Sequence, residues 1–163
     1  ATQNENRRAE RAEAEALTDP LTGLFNRRGW DRLLDAEEDR CHRYGHPACV
    51  LVADLDGLKR VNDGDGHEAG DALIVRTGKL LQKAARSQDV VSRLGGDEFG
   101  IMGVECDRRG ARALMARIRK DFDRAGVGIS LGMATRDPRV GLPGAWADAD
   151  QAMYADKEAR KGS

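Results

Sequence analysis

A single α/β (α+β) domain, with a mixed central sheet of about five strands plus a hairpin and helices on both faces, is the fold this sequence predicts. Residues 48–53, Ala-Cys-Val-Leu-Val-Ala, form an unbroken apolar run that ends on Asp54, the pattern of a strand buried on both faces. Charged segments of helical spacing alternate with short apolar runs along the chain. Two of those runs, around Val90 and Phe99, flank Gly95-Gly96, which reads as a hairpin.

Residues 1–17 are dense in Arg, Glu and Ala, and Ala9, Ala12, Ala16 and Leu17 recur at helical spacing, so a helix is expected. Lacking a core of its own, this segment reads as a helical connector from an upstream module, with residues 18–163 as the folded domain. Thr18-Asp19-Pro20 supplies a cap and a stop, and a loop over residues 21–26 leads into a helix over 27–44, closed by Gly45-His46-Pro47. After the apolar strand come a short helical turn over 58–62, a glycine-rich loop through Gly66 and a helix over 69–86. The hairpin follows, with Gly95-Gly96 free to adopt positive φ. A helix over 108–125, a strand over 127–135, a loop containing Pro138 and Pro143, and a helix over 146–160 complete the order.

A chain of 163 residues fits one domain. With 40% apolar, 34% charged and only 4% aromatic residues, its core is built mainly from Leu, Val, Ile, Ala and Met. A net charge of −1 argues against binding a nucleic-acid polymer, although local basic groups can serve a single nucleotide. No apolar run approaches the length of a membrane span and no signal-peptide pattern opens the chain, so this segment is expected in the cytoplasm without membrane contact, while the complete protein is free to be membrane-attached. Cys41, Cys49 and Cys106 are odd in number and lack C-x-x-C spacing, which indicates neither a disulfide framework nor a zinc site.

Asp54 at a strand end and Asp97 and Glu98 on the hairpin are carboxylates that neighbouring strands can bring to one metal ion. Mg²⁺ is usually held by one or two carboxylates together with substrate phosphates, which suits a nucleotide site. The competing reading is an exposed acidic hairpin. Neither a G-x-x-x-x-G-K-[ST] loop nor a G-x-G-x-x-G turn is present. Phosphate contacts therefore fall to the backbone between Asp54 and Lys59, with Lys59 and Lys157 as cations, unless those lysines are only solvated surface charges. Asn62 and Asp71 flank a polar loop, and an amide plus a carboxylate can read a guanine edge; equally, Asn62 ends a short helix and Asp71 caps the next.

With these residues in place, the chain resembles the GGDEF family of diguanylate cyclases over residues 18–161. Three segments carry the resemblance: Asp19-Pro-Leu-Thr-Gly-Leu-Phe-Asn-Arg27; Asp54-x-Asp56-x-x-Lys59-x-x-Asn62-Asp63 followed by Gly66-His67 and Gly70-Asp71; and Gly95-Gly96-Asp97-Glu98-Phe99. The resemblance implies a sheet similar to the palm of polymerases and nucleotide cyclases. It implies condensation of two GTP into cyclic di-GMP with release of pyrophosphate, dependent on Mg²⁺ or Mn²⁺ and on a homodimer that brings two half-sites together. It implies Asp54, Asp97 and the Leu55 carbonyl as metal ligands, with Glu98 assisting metal binding or deprotonation. Asn62 and Asp71 are then the guanine readers, and Lys59, Lys157 and the backbone at Gly57 and Leu58 the phosphate contacts. Lys161 stands where an arginine is expected, with Arg160 adjoining it, and Gly57, Leu58 and Gly64-Asp65 also depart from the family's usual residues.

Arg86-Ser-Gln-Asp89 resembles the family's R-x-x-D inhibitory site for the cyclic di-GMP product, with Arg117 as a secondary contact. An upstream sensory domain is the expected partner. Two alternatives to an active cyclase are a catalytically silent cyclic di-GMP receptor and a GTP-sensing regulatory module. The intact carboxylates Asp54, Asp97 and Glu98 favour the enzyme.

Overall fold

β1 (Ala48–Leu55) is buried at every position, as its unbroken apolar run predicts. The computed structural model describes residues 2–161, and among them β1 is one of four strands that accompany six helices. Residues 1, 162 and 163, the ends of the two segments expected from the sequence, lie outside the described residues. The other strands are β2 (Val90–Arg93), β3 (Glu98–Val104) and β4 (Ile129–Thr135), and the sheet order is β2-β3-β1-β4.

The expectation of a mixed sheet with about five strands plus a hairpin is corrected in its details. Every pairing among these four strands is antiparallel, and the hairpin is the β2–β3 pair inside the sheet. The reason is topological. The helical crossovers run β1 parallel to β2 and β3 parallel to β4, but β3 inserts between the first pair and β1 between the second, so no parallel strands are neighbours.

Side-chain alternation along β1 sends its residues to two cores. Ala48, Val50 and Val52 pack with Trp30, Met102, Leu142, Ala149 and Met153 beneath α2 (Arg27–Tyr44) and α6 (Gly141–Lys161). Cys49, Leu51, Ala53 and Leu55 pack with Ile74, Leu81, Ile101, Ile118 and Phe122 beneath α4 (His67–Ala84) and α5 (Arg108–Ala125). Between β1 and α4 lies α3 (Leu58–Asp65), which has no buried residue. Helices therefore cover both faces, as the sequence predicts.

Local signals set most boundaries. Asn26 caps α2 by accepting from the Gly29 amide, and Gly45, at φ 72°, ends that helix in the left-handed conformation. α6 begins at Gly141, ahead of the position expected for it, because Pro143 falls in its first turn, where a missing N–H costs nothing. Glu38 ties α2 to that start: it accepts from Arg136 through both oxygens at 2.8 Å and from the Leu142 amide at 2.7 Å. α1 (Gln3–Leu17) is exposed along nearly its whole length and reaches α2 through a 2.8 Å Glu13–Arg32 ion pair. Among the described residues no helix is long and apolar enough to cross a membrane.

β4 and α6 meet most tightly at Gly132, where an added Cβ would run into the helix backbone at Ala149, Ala152 and Met153. Backbone on both sides leaves no flexible group to yield. Gly132→Ala is expected to cost about 3 kcal/mol or more, whereas Gly64→Ala, in a helix with open space around it, should be neutral or gain up to about 1 kcal/mol. Urea-denaturation midpoints of the two variants check this contrast.

Candidate active site

The register of β1 against β3 sets Asp54 directly opposite Glu98. Asp54 continues the parity of Ala48, Val50 and Val52, and residues directly opposite in an antiparallel pair share a face, so both acids belong to the α6 side of the sheet. From α6, Lys157 donates to Asp54 Oδ2 at 3.0 Å. Asp97 lies in the turn just before β3, and its carbonyl accepts from the Leu55 amide at 2.8 Å, which fastens the turn to the end of β1. The structure thus brings together Asp54, Leu55, Asp97, Glu98 and Lys157 from three distant stretches of sequence.

This corner carries more negative charge than its neighbours balance. Burial pushes the Asp54 carboxyl above its ordinary value; Lys157 pulls the other way and Asp97 adds to the rise. Glu98 is also raised, first by burial and then by the charges of Asp150 and Asp54. Lys157 is held above its ordinary value by its bond to Asp54. Asp54 Oδ1 is buried and has no hydrogen-bond partner among the described residues. A donorless buried carboxylate oxygen is what a bound cation satisfies, and an all-oxygen donor set suits Mg²⁺ or Mn²⁺ better than a soft metal. Among the described residues, no group of three His, Cys, Asp or Glu side chains is already gathered for a metal ion. The carboxylates of Asp54, Asp97 and Glu98 are oxygen donors of the kind a divalent cation takes.

Beside the acids opens a cleft of about 870 Å³. Leu55, Gly57, Leu58 and Lys59 line one side, Lys157, Arg160 and Lys161 another, and Asp97 the edge. Gly57 has φ 75° at the N-cap of α3, a conformation that turns the chain sharply out of β1 and that a larger side chain would strain. No side chain caps that helix, so its first amides remain available to an anion. Arg160 donates to Asp56 at 2.9 Å, and Ser130 donates to the other Asp56 oxygen at 2.8 Å. Lys161, at the cleft's rim, pairs with Glu158 at 3.5 Å.

Asn62 and Asp71 stand apart from the wall of this cleft. Asn62 lies inside α3, which continues to Asp65, and its side chain presses on Gly70, where a Cβ would overlap it. Asp71 is exposed in α4, which starts at His67 with Gly66 as its N-cap, so it caps no helix. Both local roles read from the sequence are thereby corrected, because the intervening loop is shorter than its glycines suggest.

The turn itself differs from expectation. Neither Gly95 nor Gly96 adopts positive φ, and apart from its own chain neighbours no atom of the described residues lies within 4 Å of a Cβ placed on Gly96. The bend is held instead by Arg93, whose guanidinium donates to the Gly95 carbonyl at 3.2 Å and the Gly96 carbonyl at 3.0 Å. Arg93 is anchored in turn by Asp19 at 3.2 Å, and Asp19 also accepts from the Thr22 hydroxyl at 2.7 Å. Sequence reasoning missed this pair, which spans 74 residues; an arginine next to the glycine pair was the available signal.

A second cluster forms at the far end of β3. Arg86 Nη2 pairs with Asp89 Oδ1 at 3.2 Å and donates to the Val104 carbonyl, while the Val104 amide donates to Asp89 at 3.2 Å. Arg117 donates to the Ala84 carbonyl at 3.1 Å, and all three side chains line one cavity of about 320 Å³.

Comparison with known proteins agrees with this geometry. The family described as "Diguanylate cyclase, GGDEF domain" matches residues 16–163. A protein of Escherichia coli K12 named "Probable diguanylate cyclase DgcC" is 33% identical over 158 residues, which cover 91% of this chain and 43% of that protein. The chain thus spans less than half of that relative's length. An uncharacterized 19.3 kDa protein of Streptomyces ambofaciens is 38% identical over 159 residues, covering 92% of this chain and 84% of that one. Among solved structures, the coiled coil and GGDEF domain of DgcB from Caulobacter crescentus, in complex with c-di-GMP, superimposes with a TM-score of 0.90 at 25% identity, covering 96% of this chain and 88% of that one.

The raised Glu98 carboxyl has a consequence for stability. A group whose native pKa exceeds its unfolded value binds protons more tightly in the native state, so its contribution worsens as pH rises above the ordinary 4.5. Without divalent metal, Glu98→Gln is expected to raise the Tm at pH 7 by roughly 1–3 °C, and the gain should vanish below pH 4.5. Calorimetry across that pH range tests it; a gain that persists in acid would contradict the assignment.

Proposed function

Since the chain belongs to the GGDEF family of diguanylate cyclases, we propose that it condenses two molecules of GTP into cyclic di-GMP with release of pyrophosphate. The observation that carries this reading is the pairing of Asp54 with Glu98 beside Asp97 and Lys157, with a donorless buried oxygen on Asp54. When bound at Asp54, the Leu55 carbonyl and Asp97, Mg²⁺ or Mn²⁺ supplies neutralisation of the polyphosphate and a lowered pKa for the attacking 3′-hydroxyl.

The chain's own groups divide the remaining work. The amide of the N-cap Gly57 and the uncapped first amide of α3 at Leu58, with Lys59, orient the phosphates. Lys157, already beside Asp54, neutralises charge that builds on the leaving pyrophosphate. Lys161 and Arg160 extend the positive rim. Glu98, whose carboxyl burial pushes up, is the acid best matched to accept the hydroxyl proton. Asn62 and Asp71 read the guanine edge across the α3–α4 junction, where a carboxylate accepts from N1–H and the exocyclic amine. The open space around Gly96 leaves room for the nucleotide.

One domain holds one GTP, so in-line attack on the α-phosphate needs a second copy facing the first. The exposed helix α1 is the natural element to hold two copies together and to connect them to an upstream sensory domain. A solved relative that includes a coiled coil supports that arrangement. Arg86, Asp89 and Arg117 are proposed to bind the cyclic di-GMP product as an inhibitor, consistent with the c-di-GMP complex of the same relative. A site that consumes GTP belongs in the cytoplasm, whatever anchors the rest of the protein.

Purified dimeric protein incubated with GTP and Mg²⁺ should yield cyclic di-GMP, resolved by chromatography. Asp97→Ala and Glu98→Ala should each lower the rate about 10²-fold or more, and an undiminished rate in either variant would falsify that residue's role. Arg86→Ala should leave the uninhibited rate intact. It should raise the cyclic di-GMP concentration giving half-inhibition by roughly tenfold, the loss expected for a charge-assisted contact.

A further inference from the structure

Two thiols that the proposed cyclase chemistry does not use meet at the cavity that holds Arg86 and Asp89, one in its wall and one buried behind it. Cys49, on β1, is fully buried, and Cys106, just past the end of β3, is 5% exposed and lines the cavity wall. The Cys49 thiol donates to Cys106 Sγ at 3.2 Å. Two sulfurs at that separation need to approach by only about 1 Å to reach bonding distance. Gly103 lies opposite Cys49 in the β1–β3 register, and a Cβ there would press on the Cys49 sulfur, so the glycine keeps the space the sulfurs occupy.

We propose that Cys49 and Cys106 are an oxidant-responsive pair: a two-electron oxidant such as hydrogen peroxide enters the cavity and converts the two thiols to an intramolecular disulfide that displaces the wall carrying Arg86 and Asp89. Cys106 is the sulfur that meets the oxidant, because it faces the cavity. Its thiol is held below its ordinary value, first by the hydrogen bond from Cys49 and then by the Arg86 guanidinium, against the opposing effect of burial. Cys49 is shifted up, first by that same hydrogen bond and then by burial, and so keeps its proton until the second step.

The Cys106 thiolate attacks one peroxide oxygen, the O–O bond breaks, and the departing hydroxide takes a proton to leave as water. The Cys49 sulfur then attacks the Cys106 sulfenic sulfur, the S–O bond breaks, and the hydroxyl leaves as a second water with the Cys49 proton. The two sulfurs together lose two electrons, which the peroxide gains. Cys41 has no part in this. It lies on α2 beneath the opposite face of the sheet, and burial pushes its thiol up to about 11.

The link to the wall is short. Cys106 follows Val104 by two residues, through Glu105 at φ 49°, and Val104 bonds Asp89 through its amide and Arg86 through its carbonyl. Moving Cys106 toward Cys49 draws on both bonds. That this displacement alters cyclic di-GMP binding rests on the proposed inhibitory role of Arg86; the disulfide itself does not.

The test titrates the full chain with hydrogen peroxide and reads intact mass and non-reducing peptide maps. The expected result is loss of two hydrogen atoms per chain and a cross-link between the Cys49 and Cys106 peptides, reversed by dithiothreitol. It should be retained in Cys41→Ala and absent in Cys106→Ala. Oxidation of Cys106 to sulfinic acid with Cys49 intact, or cross-links only between chains, would overturn the proposal, and the wild-type map alone suffices to show either. Amide exchange at residues 86–89 and 104–106 without nucleotide should differ between reduced and oxidised protein; identical exchange would refute the displacement. If Arg86→Ala leaves cyclic di-GMP affinity unchanged, the inhibitory reading fails while the mass and exchange results still decide this one.

Discussion

Everything functional in this domain hangs on the antiparallel pairing of β1 with β3. That register sets Asp54 against Glu98, and a slip of one residue would send one acid into the opposite core. What locks it is a difference in bulk between the two faces of β3. Phe99 and Ile101 fill the α4–α5 side, whereas Gly100 faces Trp30, whose ring would lie 3.0 Å from an added Cβ. Exchanging those faces would drive phenylalanine into the tryptophan and leave a void on the other side, both heavily penalised in a close-packed core.

On this rigid base the chain sets an electrostatic arrangement that is unfavourable for its own stability. Asp54 and Glu98 are raised first by burial and further by neighbouring acids, Asp97 for the one and Asp150 and Asp54 for the other, and among the described residues one buried Asp54 oxygen lacks a donor while Lys157 bonds the other. Such strain persists only where surrounding contacts over-determine the geometry. Here Arg93 does so from one side, clasping the turn carbonyls while Asp19 holds the arginine. The Leu55 amide does so from the other by binding the Asp97 carbonyl. The opening Asp19 segment is thus a brace for a turn more than seventy residues away.

The layered fold was legible because its causes are local. The apolar run before Asp54 and the glycine stop at Gly45 state their roles within a few residues. The site's acids were legible for the same reason, each standing at the end of an apolar run. Strand neighbours were less legible, since interleaving β3 between β1 and β2 is a long-range choice that no local pattern encodes. Gly95-Gly96 lacks the positive φ expected of it in a turn clasped by the nearby Arg93, and the placement of that arginine depends on Asp19, 74 residues away. Lys157 is the intermediate case: its residue type suggested a phosphate contact, but its bond to Asp54 depends on α6 packing across β4.

The two clusters sit at opposite ends of one strand, and the distance decides how they can communicate. Glu98 opens β3 and Val104 closes it, a separation of about 20 Å along an extended backbone. Charges that far apart are screened at physiological salt, where the Debye length is about 8 Å, so a ligand at Arg86 cannot alter Glu98 by its field. The strand between them is buried from Phe99 to Gly103 and paired on both edges, which makes it a poor carrier of small internal shifts. For the proposed inhibitory role of the Arg86 pocket, these facts favour a route through the placement of the whole domain. In the proposed dimer, a ligand at Arg86 that fixed where one copy sits relative to the other would control whether the two half-sites face each other, without moving an atom of either.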